Sequence, residues 1–135
     1  MSKSVIACVE DLFFRSKIEA TTRHLNVPVR FVSAKELVKA CADTNAAAVL
    51  IELSSNGDTL AAVRALRKGA VATGMPVIGF LSHVDKELAR EAEAAGVSQV
   101  MPRSQFSETL PDLLMDLVAP NTKREVQEEP ELPDE

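Results

Sequence analysis

The sequence predicts an α/β protein built on a doubly wound parallel sheet of five strands, each followed by a helix. Three observations support this fold class: short apolar runs alternate with amphipathic stretches, most of the runs are apolar on both faces, and the connections are short. Strands that helices cover on both sides have this double-faced pattern, because neither face meets water. The expected strands span residues 5–9, 29–32, 47–53, 77–81 and 98–101.

The helices are predicted from residues that recur at helical spacing between these runs. Four such stripes are present, and the last of them is the strongest. Their members are Phe14, Ile18, Thr21, Thr22 and Leu25; Leu60, Val63 and Leu66; Val84, Leu88, Ala92 and Ala95; and Leu110, Leu113, Leu114, Leu117 and Val118.

The ends of two helices carry further signals. Ser33 and Glu36 have the spacing of a capping box, and this predicts the start of a second helix. Ser82 and Asp85 have the same spacing, so Ser82 is expected to cap the fourth helix. Gly96 is expected to end that helix in the left-handed conformation that glycine adopts at little cost.

Length and composition indicate one globular domain, over residues 1–119. The chain has 135 residues, of which 46% are hydrophobic and 26% are charged, as in soluble proteins with a packed core. Residues 120–135 lack apolar periodicity and are rich in proline and glutamate, which predicts a disordered acidic tail. Neither a membrane span nor a secretion signal is expected, and the protein is therefore predicted to be cytoplasmic.

Charge and cysteine usage narrow the class of partner. The tail holds two basic residues against six acidic ones, so that −4 of the total net charge of −5 falls there. No basic face for nucleic acid is expected.

Cys8 and Cys41 lack metal-ligand spacing and are interpreted as buried, reduced thiols.

Common catalytic motifs are missing from the sequence. No glycine-rich phosphate loop follows a strand, and neither a nucleophile elbow nor an HExxH pair is present. Ser82 and His83 are adjacent, but neighbouring residues at a strand end point to opposite faces, which makes a poor nucleophile and base pair. We do not expect an enzyme.

What remains at the predicted strand ends is a set of charges. Glu10 and Asp11 follow the first strand, Glu52 lies at the end of the third, and Arg103 follows the fifth. We expect strands three and five to flank strand one, which would bring these four side chains to one cleft. Carboxylates beside a cation suit Mg²⁺ and a phosphoryl group. The alternative is a polar rim in which these charges neutralise one another.

The sequence resembles the receiver domain of bacterial response regulators, a flavodoxin-like fold, over roughly residues 4–118. The residues that carry the resemblance are Val9-Glu10-Asp11, Leu50-Ile51-Glu52-Leu53, Pro76-Val77-Ile78, Ala94-Ala95-Gly96-Val97 and Pro102-Arg103-Ser104-Gln105-Phe106. In that family an acidic pair binds Mg²⁺ and an aspartate after the third strand accepts a phosphoryl group from a histidine kinase. A Thr or Ser, an aromatic residue and a lysine respond to it.

Carried over by position, the resemblance assigns Glu10 and Asp11 to the metal pair and Glu52 to the phosphoacceptor. The hydroxyl position holds Leu81, the aromatic position Val100 and the lysine position Arg103. The metal pair keeps its charge, with Glu10 longer than the usual aspartate, whereas the other four positions depart from the pattern. A glutamate keeps the charge of aspartate and extends it by one methylene, and an arginine suits bidentate pairing with a carboxylate. A Glu52–Arg103 pair would fill the site.

These departures favour a pseudo-receiver, a non-catalytic signalling or adaptor module that binds a protein partner independently of phosphorylation. The partner surface implied by the family is formed by helix 4, strand 5 and helix 5, and Mg²⁺ binding is expected to be weak or absent. Two alternatives stay open: a working receiver that accepts a phosphoryl group with Mg²⁺, and a structural domain that recruits through its tail. A homodimer also stays open.

Overall fold

A computed structural model describes residues 4–43, 46–53, 58–69, 74–81 and 85–118. Strands and helices alternate along the chain, as predicted, and every strand lies within one residue of its expected bounds. The elements are β1 (Ser4–Cys8), α1 (Leu12–His24), β2 (Val29–Phe31), a 3-10 turn (Ala34–Glu36), α2 (Leu37–Asp43), β3 (Ala46–Glu52), α3 (Asp58–Lys68), β4 (Val77–Leu81), α4 (Lys86–Ala95), β5 (Gln99–Pro102) and α5 (Arg103–Val118).

All strand pairs in the sheet are parallel, and the strand order is β2-β1-β3-β4-β5. Strand three flanks strand one as expected, but the expectation that strand five is its other neighbour is wrong. The neighbours of β1 are β2 and β3, whereas β5 forms the edge beyond β4, because each strand after β3 is added outside the previous one. Three strand spacings, roughly 14 Å, separate β5 from β1.

The core consists of two apolar clusters, one on each face of the sheet. One cluster packs α2, α3 and α4 against the sheet, and the other packs α1 and α5 against the opposite face. All five residues of β4 are buried. Val77 and Leu81 belong to the first cluster, and Ile78 and Phe80 to the second. This alternation confirms strands that are covered on both sides.

The helix ends agree only in part with the sequence signals. Gly96 ends α4 with φ of 120°, as expected. The Ser33 N–H donates to the Glu36 carboxylate at 3.1 Å, but this contact caps the 3-10 turn that precedes α2. The expectation that Ser82 caps α4 is wrong, since the Leu88 N–H bonds to Asp85 at 3.0 Å and Asp85 is the cap. Ser82 and His83 lie outside the described residues.

Both cysteines are free and buried, as expected. Burial, with smaller contributions from the charges of Glu10 and Glu52, raises the pKa of Cys8 to about 11. Burial also raises the pKa of Cys41. Both thiols are thus protonated and poorly reactive near neutral pH.

No helix in the described part of the chain combines the length and apolar character that a bilayer crossing requires. The predicted acidic tail, residues 120–135, lies outside the described residues.

Candidate functional site

The candidate site lies at the carboxyl ends of β1 and β3, which are neighbours in the sheet. Cys8 at the end of β1 is paired with Ile51, so that the loop after β1 lies beside Glu52 at the end of β3. Glu10 is exposed in this loop, whereas Asp11 and Glu52 are half-buried. The sheet therefore brings the Glu10–Asp11 loop and Glu52 together, as the sequence predicted.

Glu52 is hydrogen-bonded to the backbone of this loop. Its Oε1 accepts the Glu10 N–H at 2.8 Å and the Asp11 N–H at 3.1 Å. Both N–H groups lie just before the start of α1, where the helix dipole favours negative charge. Hydrogen bonds to a charged acceptor are stronger than those between neutral groups. The carboxylate of Glu52 thus occupies an anion-binding position made by backbone amides.

Asp11 has a structural role at the start of α1. Its Oδ1 accepts the Phe14 N–H at 3.2 Å, which makes Asp11 the N-cap residue of the helix. N-cap carboxylates satisfy backbone donors that the helix itself leaves without a partner. One oxygen of the predicted metal pair is therefore already engaged.

Two separate hollows occupy the region where one cleft was expected. The first, called here the α1–α5 cleft, has a volume of about 410 Å³ and is lined by Asp11, Phe13, Phe14, Arg103, Ser104 and Ser107. The second is a smaller cavity of about 130 Å³, lined by Cys8, Glu10, Val32, Ser33, Ala34, Glu52, Asp58 and Thr59. Asp11 and Glu52 consequently line different hollows. The two hollows lie on either side of the loop after β1, since Asp11 lines the first and its neighbour Glu10 lines the second.

The structure does not bring Arg103 to Glu52. Among the described residues no ion pair joins these two side chains. The Arg103 guanidinium lies 6.0 Å from the centre of the Phe14 ring, in the α1–α5 cleft. The position of β5 explains this, because two strand spacings separate it from β3. The Glu52–Arg103 pair that the sequence suggested is not formed.

The two positions that match the switch residues of the resemblance hold aliphatic side chains in the sheet. Leu81 is buried at the end of β4 and Val100 is half-buried in β5, and both belong to the apolar layer beneath α3 and α4. The rings of Phe80 and Phe106 are packed on the opposite face of the sheet. Leu81 offers no hydroxyl and Val100 no ring at this edge.

Two of the three carboxylates at the site each have one oxygen engaged by backbone N–H groups. Hard cations such as Mg²⁺ take several oxygen ligands that converge on one point. One oxygen of Asp11 caps α1 and one oxygen of Glu52 accepts two backbone N–H groups. Within the described ranges, no three acidic, cysteine or histidine side chains are placed to share a metal ion.

Sequence reasoning missed Asp58 and Thr59, which line the smaller cavity with Glu52. Asp58 is the first residue of α3, the helix that follows β3. The amino ends of the helices that follow the strands lie at the carboxyl edge of the sheet. The position of Asp58 after β3 therefore could have indicated that it lies near Glu52. Sequence reasoning also missed Leu12 and Phe13, two neighbouring apolar side chains that are 76% and 67% exposed.

The capping role of Asp11 can be tested by substitution. We expect Asp11→Ala to lower the free energy of unfolding by about 1 kcal/mol, the typical loss for an N-cap. Asp85→Ala is the matched control, because Asp85 caps α4 in the same way. Urea denaturation of both variants is expected to give similar losses. A rise in stability for Asp11→Ala alone would show that its charge is repelled by the other carboxylates rather than used in a cap.

Comparison with protein-family models gives no match, and comparison with the curated proteins gives none either. Solved structures do match. The chemotaxis protein CheY4 of Vibrio cholerae superposes with a TM-score of 0.75 at 15% identity, over 87% of this chain and 99% of that one. The receiver domain of a sensor histidine kinase of Pseudomonas aeruginosa, solved with a magnesium ion in its active-site cleft, gives 0.74 at 17% identity, over 87% and 98%.

A third match is the phosphorylated cyanobacterial phytochrome response regulator RcpA, with a TM-score of 0.76 at 10% identity, over 90% of this chain and 98% of that one. The similarity covers nearly the whole length of each receiver, and the sequences differ at most positions. The comparisons therefore confirm the predicted flavodoxin-like fold of five parallel strands, in the form that receiver domains have.

Proposed function

We propose that this chain, whose fold is that of response-regulator receiver domains, is a pseudo-receiver: a signalling or adaptor module that binds a protein partner without a phosphorylation step. One observation carries the proposal. The Glu52 carboxylate, at the position of the phosphoacceptor, is bonded to the Glu10 and Asp11 amides. A side chain held in this way presents a permanent negative charge where a receiver would acquire one by phosphorylation.

The chemistry of phosphoryl acceptance argues in the same direction. A carboxylate that attacks a phosphoryl group needs a free oxygen, a metal that neutralises the incoming charge and a cation at the developing charge. In this chain one Glu52 oxygen accepts two hydrogen bonds, Asp11 caps α1, and Arg103 lies in the other hollow. Glu52 keeps its second oxygen, Oε2, since both loop amides bond to Oε1, but the metal and the cation requirements do not match the arrangement of the described residues.

The conformational response would also lack its usual parts. In receivers, a hydroxyl and an aromatic side chain transmit the presence of the phosphoryl group to the surface. The corresponding Leu81 and Val100 pack in the apolar layer beneath α3 and α4. An aliphatic side chain in a packed layer makes no differential contact with a phosphoryl group, and without a differential contact no population shift follows. We therefore propose one constant state.

We propose that the partner binds the face formed by α4, β5 and α5, as the resemblance implies. This face includes the edge strand β5, whose Gln99 is exposed, and the exposed charges Lys86, Glu87 and Arg90 of α4. Its mixed charge suits a protein partner better than nucleic acid, which requires a basic surface. The free thiols of Cys8 and Cys41 suit a reducing compartment, and we place the module in the cytoplasm.

The test of this proposal is incubation with Mg²⁺ and a small phosphodonor, followed by intact-mass measurement. We expect no acid-labile adduct of one phosphoryl group on the wild-type chain. Glu52→Asp is measured beside the wild type. Its shorter side chain restores the aspartate that receivers usually have as the acceptor and withdraws the carboxylate from the loop amides. An adduct on the wild type that disappears in Glu52→Gln would overturn the proposal and establish a working receiver.

Magnesium binding gives a second measurable expectation. Since Asp11 and Glu52 each have one carboxylate oxygen engaged by backbone N–H groups, we expect millimolar Mg²⁺ to raise the melting temperature by less than about 1 °C. Even if the dissociation constant of Mg²⁺ were near the applied concentration, binding would raise the free energy of unfolding by only about 0.4 kcal/mol. The melting temperature would then shift by a few degrees at most. Differential scanning fluorimetry with an added dye measures this, with Glu10→Gln as the control variant. A strong, saturable rise that Glu10→Gln removes would reveal a metal site.

A further inference from the structure

One side chain ties the end of α3 to the connection between α4 and β5, residues 96–98. Arg67, in the last turn of α3, donates from Nε to the Gly96 carbonyl oxygen at 2.9 Å. One of its terminal nitrogens donates to the Ser98 Oγ at 3.3 Å. A guanidinium can reach two acceptors at once because its donors are held in a planar fork. The contact therefore joins α3 to the segment in which the chain turns from α4 into β5.

Ser98 links this contact to the sheet. Its Oγ accepts the Val77 N–H at 3.0 Å, and its own N–H donates to the Val77 carbonyl oxygen at 2.8 Å. Val77 is the first residue of β4 and is fully buried. A hydroxyl oxygen can accept two hydrogen bonds. The ends of α3, β4 and the α4–β5 connection thus meet at one side chain.

The backbone at Gly96 leaves room for the Arg67 side chain. Gly96 has φ of 120°, and a Cβ at this position would lie 2.5 Å from Arg67 Cγ. The last turn of α4 contains no basic residue of its own, so Arg67 of α3 supplies the positive charge that the end of a helix favours. Arg67 is half-buried. Close packing, charge and two hydrogen bonds therefore act together in this contact.

We propose that Arg67 is a positioning residue of the partner face, because it holds the α4–β5 connection and with it the arrangement of these two elements. The inference rests on the proposed function in taking α4 and β5 as part of the partner face. The aliphatic residues Leu81 and Val100 remove the usual cause of movement, and Arg67 restrains the elements that would move. Without Arg67, α4 and β5 are expected to sample a second arrangement within the folded state.

Relaxation dispersion of the backbone amides of the full chain measures such a minor arrangement. We expect Arg67→Ala to raise its population about tenfold, as for the loss of hydrogen bonds from a charged donor. The dispersion is expected at Val97 and Gln99, whereas Val5 and Val32, whose N–H groups bond within the β1–β2 region, stay flat. A variant that melts earlier without dispersion at Val97 and Gln99, or with equal dispersion at all four amides, would reduce Arg67 to a stability residue and overturn the proposal.

Two further variants test the chemistry of the contact. Arg64→Ala is the matched control, because Arg64 is an exposed arginine on the same helix, and we expect it to leave the dispersion at the wild-type level. An effect equal to that of Arg67→Ala would overturn the assigned contact. Arg67→Lys keeps the charge but loses the fork that reaches two acceptors, so we expect a rise of about threefold. An unchanged Arg67→Lys would overturn the proposal, which keeps it testable if Arg67→Ala does not fold.

These measurements are separate from the test of the proposed function, since they need neither a phosphodonor nor a partner. A phosphoryl adduct on the wild-type chain would overturn the pseudo-receiver, and dispersion confined to the α4–β5 connection in Arg67→Ala would still support the restraint. Flat profiles in Arg67→Ala would overturn the role of Arg67, and the absence of an adduct would still support the pseudo-receiver. The two failures are therefore distinguishable.

Discussion

Replacing Phe106 with alanine is expected to lower the free energy of unfolding by about 3–5 kcal/mol, the range for a large aromatic side chain in a packed core. Phe106 is fully buried in α5, and its ring stacks on Phe80 with centroids 4.3 Å apart. Phe14 of α1 lies 5.0 Å from Phe80 by the same measure. These three rings join both helices to the sheet, so truncation leaves a cavity at their meeting point.

Phe13→Ala is the matched control for this substitution, because it removes an identical ring from a side chain that is 67% exposed. Phe13 is the residue next to Phe14 in the chain. Its expected loss is below about 1 kcal/mol, as for surface substitutions outside the core. Urea denaturation of both variants gives the comparison. Losses of equal size would contradict the packing described here, and so would a native-like stability of Phe106→Ala.

Replacing Glu52 with alanine is expected to cost about 2 kcal/mol of stability, the second largest effect. The substitution removes a charged acceptor from the Glu10 and Asp11 amides, and hydrogen bonds to charged groups contribute about 1.5–3 kcal/mol each. The expected loss is smaller than the sum for two such bonds, at least about 3 kcal/mol, because Glu10 is exposed and water can replace part of the interaction. Glu52→Gln keeps an amide oxygen at the same reach and is expected to lose about half as much.

Glu10→Ala is the control, since it removes one negative charge from the same site, while the Glu10 side chain makes no hydrogen bond in the described part of the chain. We expect it to change stability by less than about 0.5 kcal/mol. If Glu52→Ala were instead stabilising, repulsion among the carboxylates would outweigh the bonds to the loop. That result would remove the observation on which the proposed function depends.

The fold could be predicted because its signals are local. The period of the apolar residues indicates which segments are strands. The structure confirms this prediction, since β4 is fully buried and β3 has consecutive buried residues on both of its faces. Strand order has no such signal, since all five runs look alike. The position of β5 at the sheet edge was therefore predicted wrongly, and with it the contact between Arg103 and Glu52.

The site was only partly predictable for a related reason. Its location followed from the polar residues after β1 and β3, whereas the bonds that Glu52 makes depend on how the next loop turns its N–H groups. The role of Asp11 did have a signal, since an aspartate directly before an apolar helix is a typical N-cap. The capping-box spacing of Ser82 and Asp85 pointed to Ser82 as the cap of α4, whereas the cap in the structure is Asp85, the second residue of that pair.

The most direct test of a constant, phosphorylation-independent state is the amide spectrum of the isotope-labelled chain with and without phosphodonor plus Mg²⁺. In a switching receiver, a charge placed at the end of β3 moves the signals of the partner face. We predict that the signals of α4 and β5, including Gln99 and Val100, stay in place in the wild type. Shifts that spread from Glu52 to these two elements, and that Glu52→Gln abolishes, would contradict the account.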